Sequence, residues 1–215
     1  MNAQRPTLQT PPEAHRRQQA ELLQIARDSI RVALATGHNL VYHTEDDWFL
    51  QPRAVFVTLR TRGEGDLLPG VHDPGELRGC IGQIEAERPL YLAVQDAAVK
   101  AATIDPRFYP VQLEELDDLC IEISILSAMR AIEQLEEIRV GVDGLLITGN
   151  RRRGLLLPEV PLSFGWDAAE FVDHLCGKAG LPEDAWPAKA RLYAFTTESF
   201  EECPPAAATA NSNSQ

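Results

Sequence analysis

The chain has 215 residues, 44% hydrophobic and 24% charged, and its formal net charge at pH 7 is −12. These values are typical of a globular protein large enough to bury a core. The negative charge disfavours binding to nucleic acid or to an anionic membrane, because both ligands require a clustered basic face. The four cysteines, Cys80, Cys120, Cys176 and Cys203, lack the paired spacing of a zinc site or a disulfide framework, so we expect independent thiols in a reducing compartment.

Both ends of the chain differ in composition from the middle. Residues 1–12 have no apolar pattern, and residues 203–215 are small and polar without aromatic side chains. Segments of this composition bury too little apolar surface to become ordered. We therefore expect disordered tails over 1–12 and 203–215 around one folded domain, residues 13–202. The first residues also lack the apolar stretch of an export signal, so we expect a cytoplasmic protein.

Three helices are predicted from apolar residues that recur every three or four positions. The first covers 13–35 and ends before Gly37, and the second covers 89–103, where a proline suits the first turn. Asp167 and Glu170 have the spacing of a capping box, which predicts the start of the third helix.

The remaining elements are predicted as strands from β-branched residues and alternating patterns. Asp143 and Gly144 have the residue types of a two-residue hairpin turn, which predicts that residues 139–142 pair with residues 145–148. Strands and helices do not alternate in a βαβ rhythm, so the pattern predicts an α+β fold with a mixed or antiparallel sheet. The other predicted strands cover residues 54–60, 120–126, 154–157 and 190–196.

The segment LRGCIG, residues 77–82, places Gly79 and Gly82 inside an apolar run. Glycine weakens a strand interior, so the segment predicts a β-bulge or the close approach of another backbone at Cys80. Cys80 is either a small buried residue, the usual role of a free cysteine, or a nucleophile whose thiolate is stabilised by the nearby guanidinium of Arg78. Such a nucleophile needs a base, usually a histidine, and the positions of the histidines in the sequence do not indicate which of them would serve.

Three further charged residues are candidates for the same site. Asp105 and Arg107 either cap a helix end as a surface pair, or Arg107 grips a carboxylate or phosphate with its planar fork. Glu122 is either exposed to solvent or, if buried, paired with Arg78 or Arg107. Because polar groups in apolar segments need partners, we expect Arg78, Cys80, Arg107 and Glu122 to converge in one cleft.

The run Arg151–Arg153 is the one basic cluster of the acidic chain. The first interpretation is a charged turn at the protein surface. The alternative is a small surface patch that binds an anion or a partner protein. Three phosphate contacts are too few for a dedicated nucleic-acid binder, so we expect no binding of RNA or DNA tighter than about 10⁻⁴ M at physiological salt. No cofactor or metal motif is recognised, and none is expected.

The order of the motifs resembles the AMMECR-type domain family over about residues 21–202. The resemblance implies an α+β fold as one domain of two unequal lobes, with a cleft lined by the hallmark LRGCIG. It also implies a role as the protein A component of AmmeMemoRadiSam systems, beside radical-SAM and Memo-type partner proteins, without implying a reaction. The matching segments are LRGCIG (77–82), DPRF (105–108), IEISIL (121–126), VGVDGLLI (140–147) and GWDAAEFVDHLCGKAGLP (165–182).

Three functional hypotheses follow. The chain is a partner domain that completes the site of another enzyme, a Cys80-dependent modifying enzyme, or an RNA-associated protein, which the acidic charge makes the weakest of the three. Under the enzyme hypothesis Cys80 is the catalytic residue, and the substrate-binding residues are Arg78, Gly79, Gly82, Asp105, Arg107 and Glu122.

Overall fold

The structure, a computed structural model, describes residues 12–62, 66–68, 71–72 and 75–203. The predicted tails therefore lie outside the described residues, except for Pro12 and Cys203 at their inner ends. The polar segment before LRGCIG is described only in part. None of the described helices combines the length and apolar composition needed to cross a membrane.

The helices of the described residues begin and end close to the predicted positions. Gly37 ends α1 with a positive φ of 72°, and Pro89 precedes the first residue of α3. Asp167 and Glu170 form the predicted capping box, each side chain accepting a hydrogen bond from the other residue's backbone N–H. The α-helices are α1 (Glu13–Thr36), α2 (Asp47–Leu50), α3 (Leu90–Thr103), α4 (Glu159–Phe164) and α5 (Ala168–Ala179).

The strands form two four-stranded sheets and one short hairpin. The first sheet has the order β10-β5-β1-β4, the second has the order β6-β9-β7-β8, and β2 pairs with β3. The strands are β1 (Val55–Thr61), β2 (Asp66–Leu68), β3 (Val71–His72), β4 (Leu77–Gln83), β5 (Leu119–Leu126), β6 (Arg130–Ile132), β7 (Gly144–Gly149), β8 (Arg152–Leu156), β9 (Arg191–Phe195) and β10 (Thr197–Glu202). The predicted α+β fold class is confirmed.

The chain divides into two compact units, of which the first comprises Met1–Ile123 and Phe200–Gln215. Within this unit α1 packs on α3, and α3 packs on β1 and β4. Alternate residues of β1, Val55, Val57 and Leu59, are fully buried. The sheet thus has one apolar face under the helices, and the residues between them, such as Thr58, lie on the other face.

The second unit comprises Ser124–Ser199. Its helix α5 packs on β7 and β8, and Phe171, Leu175 and Cys176 of the helix are fully buried in an apolar cluster that includes Leu145 and Ile147. A cleft between unequal lobes stays a prediction.

The predicted hairpin at Asp143 and Gly144 is wrong. The Asp143 carboxylate is buried and accepts hydrogen bonds from the backbone N–H and guanidinium of Arg139 and from the guanidinium of Arg130. It therefore closes a turn over residues 139–143, so residues 139–142 do not form the predicted strand beside β7. The actual hairpin joins β7 to β8 through Asn150 and Arg151, both with positive φ.

The expectation of four independent thiols is also wrong. Cys120 on β5 and Cys203 at the end of β10 form a disulfide, with Cα atoms 4.3 Å apart. β10 is the neighbour of β5 in the sheet, so Cys203 belongs to the folded unit and not to a tail. Sequence spacing did not indicate this pair because 83 residues separate the two cysteines. Cys80 and Cys176 are free.

The disulfide gives a direct prediction. Unfolding the protein without reductant is expected to leave two alkylatable cysteines, Cys80 and Cys176, whereas reduction first should expose all four. Replacement of Cys203 by alanine is expected to lower the free energy of unfolding by about 3 to 4 kcal/mol, because a long closed loop constrains the unfolded chain. Urea titration of the wild type with and without reductant is the matched control. Alkylation of all four cysteines without reduction would contradict the pairing.

Candidate functional site

The glycines of LRGCIG are explained by close packing on both faces of β4. A Cβ added to Gly79 would lie 2.2 Å from the carbonyl oxygen of Ala101 on α3, and one added to Gly82 would lie 2.3 Å from the ring of Phe56. No larger side chain fits without movement of backbone or ring. The predicted close approach of another backbone is confirmed at Gly79.

A β-bulge lies at Arg78, as the segment also predicted. Leu59 of β1 pairs with Gly79, but the next residue, Arg60, pairs with Leu77, so Arg78 has no partner across the ladder. A bulge turns the side chain of the extra residue away from the regular alternation. Arg78 therefore does not follow the rule that residues two apart share a face of the sheet.

Asp105 and Arg107 close the outer edge of β4 at Cys80. Strand β4 is the last in its sheet, and the Cys80 N–H donates to Asp105 Oδ2 at 2.8 Å. The Cys80 carbonyl accepts a hydrogen bond from Arg107 Nη2 at 3.3 Å. An edge strand normally leaves such groups unpaired. The DPRF segment thus completes the hydrogen bonding of the strand at one residue.

The pair between Asp105 and Arg107 is bidentate. Arg107 Nε and Nη2 donate to Oδ1 and Oδ2 at 3.0 and 2.7 Å, and the Arg107 backbone N–H donates to Oδ1 at 3.1 Å. The guanidinium of Arg107 holds the pKa of the Asp105 carboxyl well below its usual range, with help from the Cys80 N–H and against the opposing effect of burial. The pKa of Arg107 is raised chiefly by Asp105 and, more weakly, by the Cys80 side chain.

The thiol of Cys80 is half-buried on the face of the sheet opposite the helices. Thr58 is its direct neighbour across the ladder, and Thr58 Oγ1 donates to Cys80 Sγ at 3.3 Å. Since the Cys80 N–H and carbonyl both point to the DPRF segment, this is a non-hydrogen-bonded pair, in which side chains lie closer together. The thiol therefore contacts the hydroxyl of Thr58, and it also interacts with the guanidinium of Arg107.

Arg78 binds the segment that follows DPRF, and its role in substrate binding stays a prediction. It donates through Nε and Nη2 to the carboxylate of Glu115 at 3.0 and 3.2 Å, and through Nη1 to the carbonyl of Tyr109 at 2.7 Å. This guanidinium lowers the pKa of Glu115, whose carboxylate also accepts the Gln112 N–H. Arg78 thus fixes the segment 109–115 against the edge of the sheet.

The structure brings together Cys80, Asp105 and Arg107 from the predicted site. Glu122 is half-buried on β5, which β1 separates from β4, and its convergence with Cys80 stays a prediction. Sequence reasoning missed Thr58 and Glu115. Gln112 and Glu115 form a capping box, but glutamine is not the usual N-cap residue of that signature, so the sequence did not indicate it. The pairing of Thr58 with Cys80 depends on strand register.

Within residues 12–62, 66–68, 71–72 and 75–203, no group of three His, Cys, Asp or Glu side chains is arranged to hold a metal ion. The polar groups around Cys80 are a thiol, a hydroxyl, a carboxylate and a guanidinium. Since the carboxylate is already bound by Arg107, the arrangement offers an incoming group the thiol and the free part of the guanidinium.

The sequence of this chain is similar to those of known proteins. A sequence model of the AMMECR1 family matches residues 23–200. The chain belongs to the AMMECR1 family. Relatives in this family include the protein MJ0810 of Methanocaldococcus jannaschii, 44% identical over 176 residues that cover 79% of this chain and 83% of that protein. A protein of Methanothermobacter thermautotrophicus is 43% identical over 189 residues, 84% of this chain and 92% of the relative.

The fold of this AMMECR1 protein also resembles a solved structure. The crystal structure of the uncharacterized protein PH0010 from Pyrococcus horikoshii superposes with a TM-score of 0.74 at 39% sequence identity. The match covers 86% of this chain and 91% of the other. The predicted family and fold class are therefore confirmed together.

The Asp105 carboxylate leads to a prediction about stability and pH. Asp105→Asn is expected to lower the free energy of unfolding by about 2 to 3 kcal/mol at pH 7, because a buried charge-assisted pair is lost. The folded-state pKa of Asp105 is depressed, so its contribution is present above the unfolded value near 3.9 and is lost as the pH falls. The difference between wild type and variant should therefore shrink between about pH 4 and pH 2.

Urea titrations at several pH values measure this difference. Asp117→Asn is the matched control, because Asp117 also pairs with an arginine, Arg31, but is 82% exposed. The control is expected to change the free energy of unfolding by less than about 0.5 kcal/mol. A difference for Asp105→Asn that stays constant from pH 7 to pH 2 would show that the charge of Asp105 contributes nothing.

Proposed function

We propose that this AMMECR1 domain is a partner domain that presents the edge around Cys80 to another enzyme. The proposal follows from an exposed aromatic side chain held on a fixed backbone. Tyr109 is 90% exposed, while its carbonyl accepts a hydrogen bond from Arg78. Two residues later the Val111 N–H donates to the carbonyl of Ala102 on α3 at 2.8 Å.

A fixed, exposed tyrosine is well suited to protein recognition. Tyrosine supplies a large contact area with few rotatable bonds, and it is enriched among the residues that dominate binding energy at interfaces. Here the backbone around the ring is already ordered, so a partner does not have to order it on binding. Ile104 and Leu113, 62% and 40% exposed, add apolar surface within the same short segment of chain.

The groups next to this segment support the same role. The Asp105 carboxylate is hydrogen-bonded to Arg107 and the Cys80 N–H, so its role is to stabilise the edge strand β4. Among the described residues the hydrogen bonds of Cys80 go to Thr58, Asp105 and Arg107. A base for the thiol would come from the partner or its substrate. The partners that we propose are radical-SAM and Memo-type proteins.

A second candidate function is that of a Cys80-dependent modifying enzyme. It is favoured by the position of the Cys80 thiol beside the guanidinium of Arg107, whose side chain is 52% exposed. In this role Arg107 would bind an anionic group of the substrate and so hold an electrophilic centre of that substrate next to the Cys80 thiol. Its signature would be alkylation of Cys80 faster than that of free glutathione, because only an enriched thiolate reacts faster than a free thiol.

The partner function is tested by binding. Tyr109→Ala is expected to weaken the complex with a radical-SAM or Memo-type protein from the same organism by about tenfold or more, because an anchoring aromatic side chain is lost. Val41→Ala is the matched control, since Val41 is 77% exposed but lies in the connection between α1 and α2. Biolayer interferometry with immobilised wild type and variants measures both affinities, and thermal unfolding checks that both variants are folded.

The same assay separates the two functions. Cys80→Ala should leave the affinity for the partner within about threefold, because the thiol contributes little contact area. The proposal is contradicted if neither class of partner binds the wild type, or if Tyr109→Ala and Val41→Ala have equal effects.

A further inference from the structure

A strongly basic concavity lies in the second unit, although the whole chain carries a formal net charge of −12. Its volume is about 560 Å³, and four of its lining residues are cationic: Arg151, Arg152, Lys189 and Arg191. The other lining residues are small or neutral, and none is acidic or aromatic. The concavity is thus a local reversal of the charge of the protein.

Strand pairing brings these cations together from distant parts of the chain. At the end of β7, Thr148 pairs with Arg191 of β9, and Gly149 pairs with Arg152 of β8. Arg151 lies in the turn between β7 and β8, and Lys189 precedes β9. The run Arg151–Arg153 therefore contributes two of its three arginines to a cluster that sequence adjacency alone does not reveal.

The turn that carries Arg151 has an unfavourable backbone for this residue. Asn150 and Arg151 have φ values of 48° and 60°. In such two-residue hairpins asparagine followed by glycine is preferred, because a side chain at positive φ clashes with the backbone. The fold thus places an arginine at a position where glycine would adopt the backbone conformation at lower energy. Strain of this kind often accompanies a functional position.

Two of the four cationic side chains have no partner among the described residues. Arg152 donates to the carbonyl of Gly180, and Lys189 makes an exposed ion pair with Asp184 at 3.6 Å. Arg151 and Arg191 have neither a hydrogen bond nor an ion pair from their side chains to any described residue. By contrast, Arg27, Arg78 and Arg107 each bind a carboxylate.

We infer that this concavity binds a small ligand with two or more adjacent phosphate groups. The planar guanidinium of arginine can donate two hydrogen bonds to one phosphate group. Two guanidinium groups without partners in the described part of the chain, next to two cations that have one partner each, can bind more than one phosphate. The volume is within the usual range of small-molecule sites and larger than a single phosphate needs. With no aromatic residue in the lining to stack on a base, the site recognises the phosphate chain itself.

The probes are inorganic pyrophosphate and tripolyphosphate, titrated into the full chain by isothermal titration calorimetry at physiological salt. Arg151→Gly and Arg191→Gln are each expected to weaken binding by about tenfold, the effect of losing a charged hydrogen bond. Arg153→Gln is the matched control, because Arg153 lies in the same run but does not line the concavity. It should change affinity by less than about threefold, the size of a general charge effect.

Thermal unfolding separates a binding role of Arg151 from a structural one. Because glycine relieves the positive φ, Arg151→Gly is expected to leave the Tm unchanged or raise it by up to about 2 °C. A fall in the Tm of Arg151→Gly would show that Arg151 serves the fold. The inference is overturned by the absence of saturable binding of either probe up to about 10 mM. Equal weakening by Arg153→Gln, or binding of a random RNA oligomer about tenfold tighter than tripolyphosphate, would also overturn it.

Discussion

The candidate site depends on the buried carboxylate of Asp105. Side-chain exposure is 3%, and the two oxygens accept hydrogen bonds from the Cys80 N–H and from Arg107. A buried charge is tolerable only when it is paired and hydrogen-bonded, and here both conditions are met by residues that the site also needs. As a result, the backbone N–H and carbonyl of Cys80, which point away from the sheet, are both hydrogen-bonded, and the thiol faces Thr58. The two glycines next to Cys80 have separate packing reasons, because Gly79 lets β4 approach α3 and Gly82 makes room for the ring of Phe56.

Much of the fold could be predicted from the sequence where one local rule dominates. The periodicity of α1 and α3 and the capping box of α5 predicted helices that the structure confirms, because capping and amphipathic burial act within a few residues. The hairpin failed where a tertiary contact overrode the local signal. Asp143 is buried between Arg130 and Arg139, and its carboxylate forms a turn over residues 139–143 in place of the predicted hairpin turn at Asp143 and Gly144. The disulfide failed for a similar reason, since only the pairing of β10 with β5 brings Cys120 and Cys203 together.

The location of the candidate site could be predicted from the sequence, but most of the contacts between its side chains could not. Glycines within an apolar run indicate a close approach at β4 whatever the partner. Of the four residues expected to converge, Arg78, Cys80, Arg107 and Glu122, the structure shows a contact between Cys80 and Arg107. The expectation that Arg78 and Cys80 share a face assumes a regular strand, and the bulge at Arg78 breaks that regularity. The basic concavity of the second unit needed strand register as well, because Arg191 joins the run Arg151–Arg153 only through its pairing with Thr148.

Amide hydrogen exchange at Cys80, followed by NMR, tests the central claim most directly. The N–H lies on the outer edge of the last strand, where it donates to the Asp105 carboxylate. The account predicts exchange at least about 100-fold slower than in an unfolded chain, and loss of most of that protection in Asp105→Ala while the amides of β1 stay protected. Rapid exchange of the Cys80 amide in the wild type, or equal protection in Asp105→Ala, would contradict it.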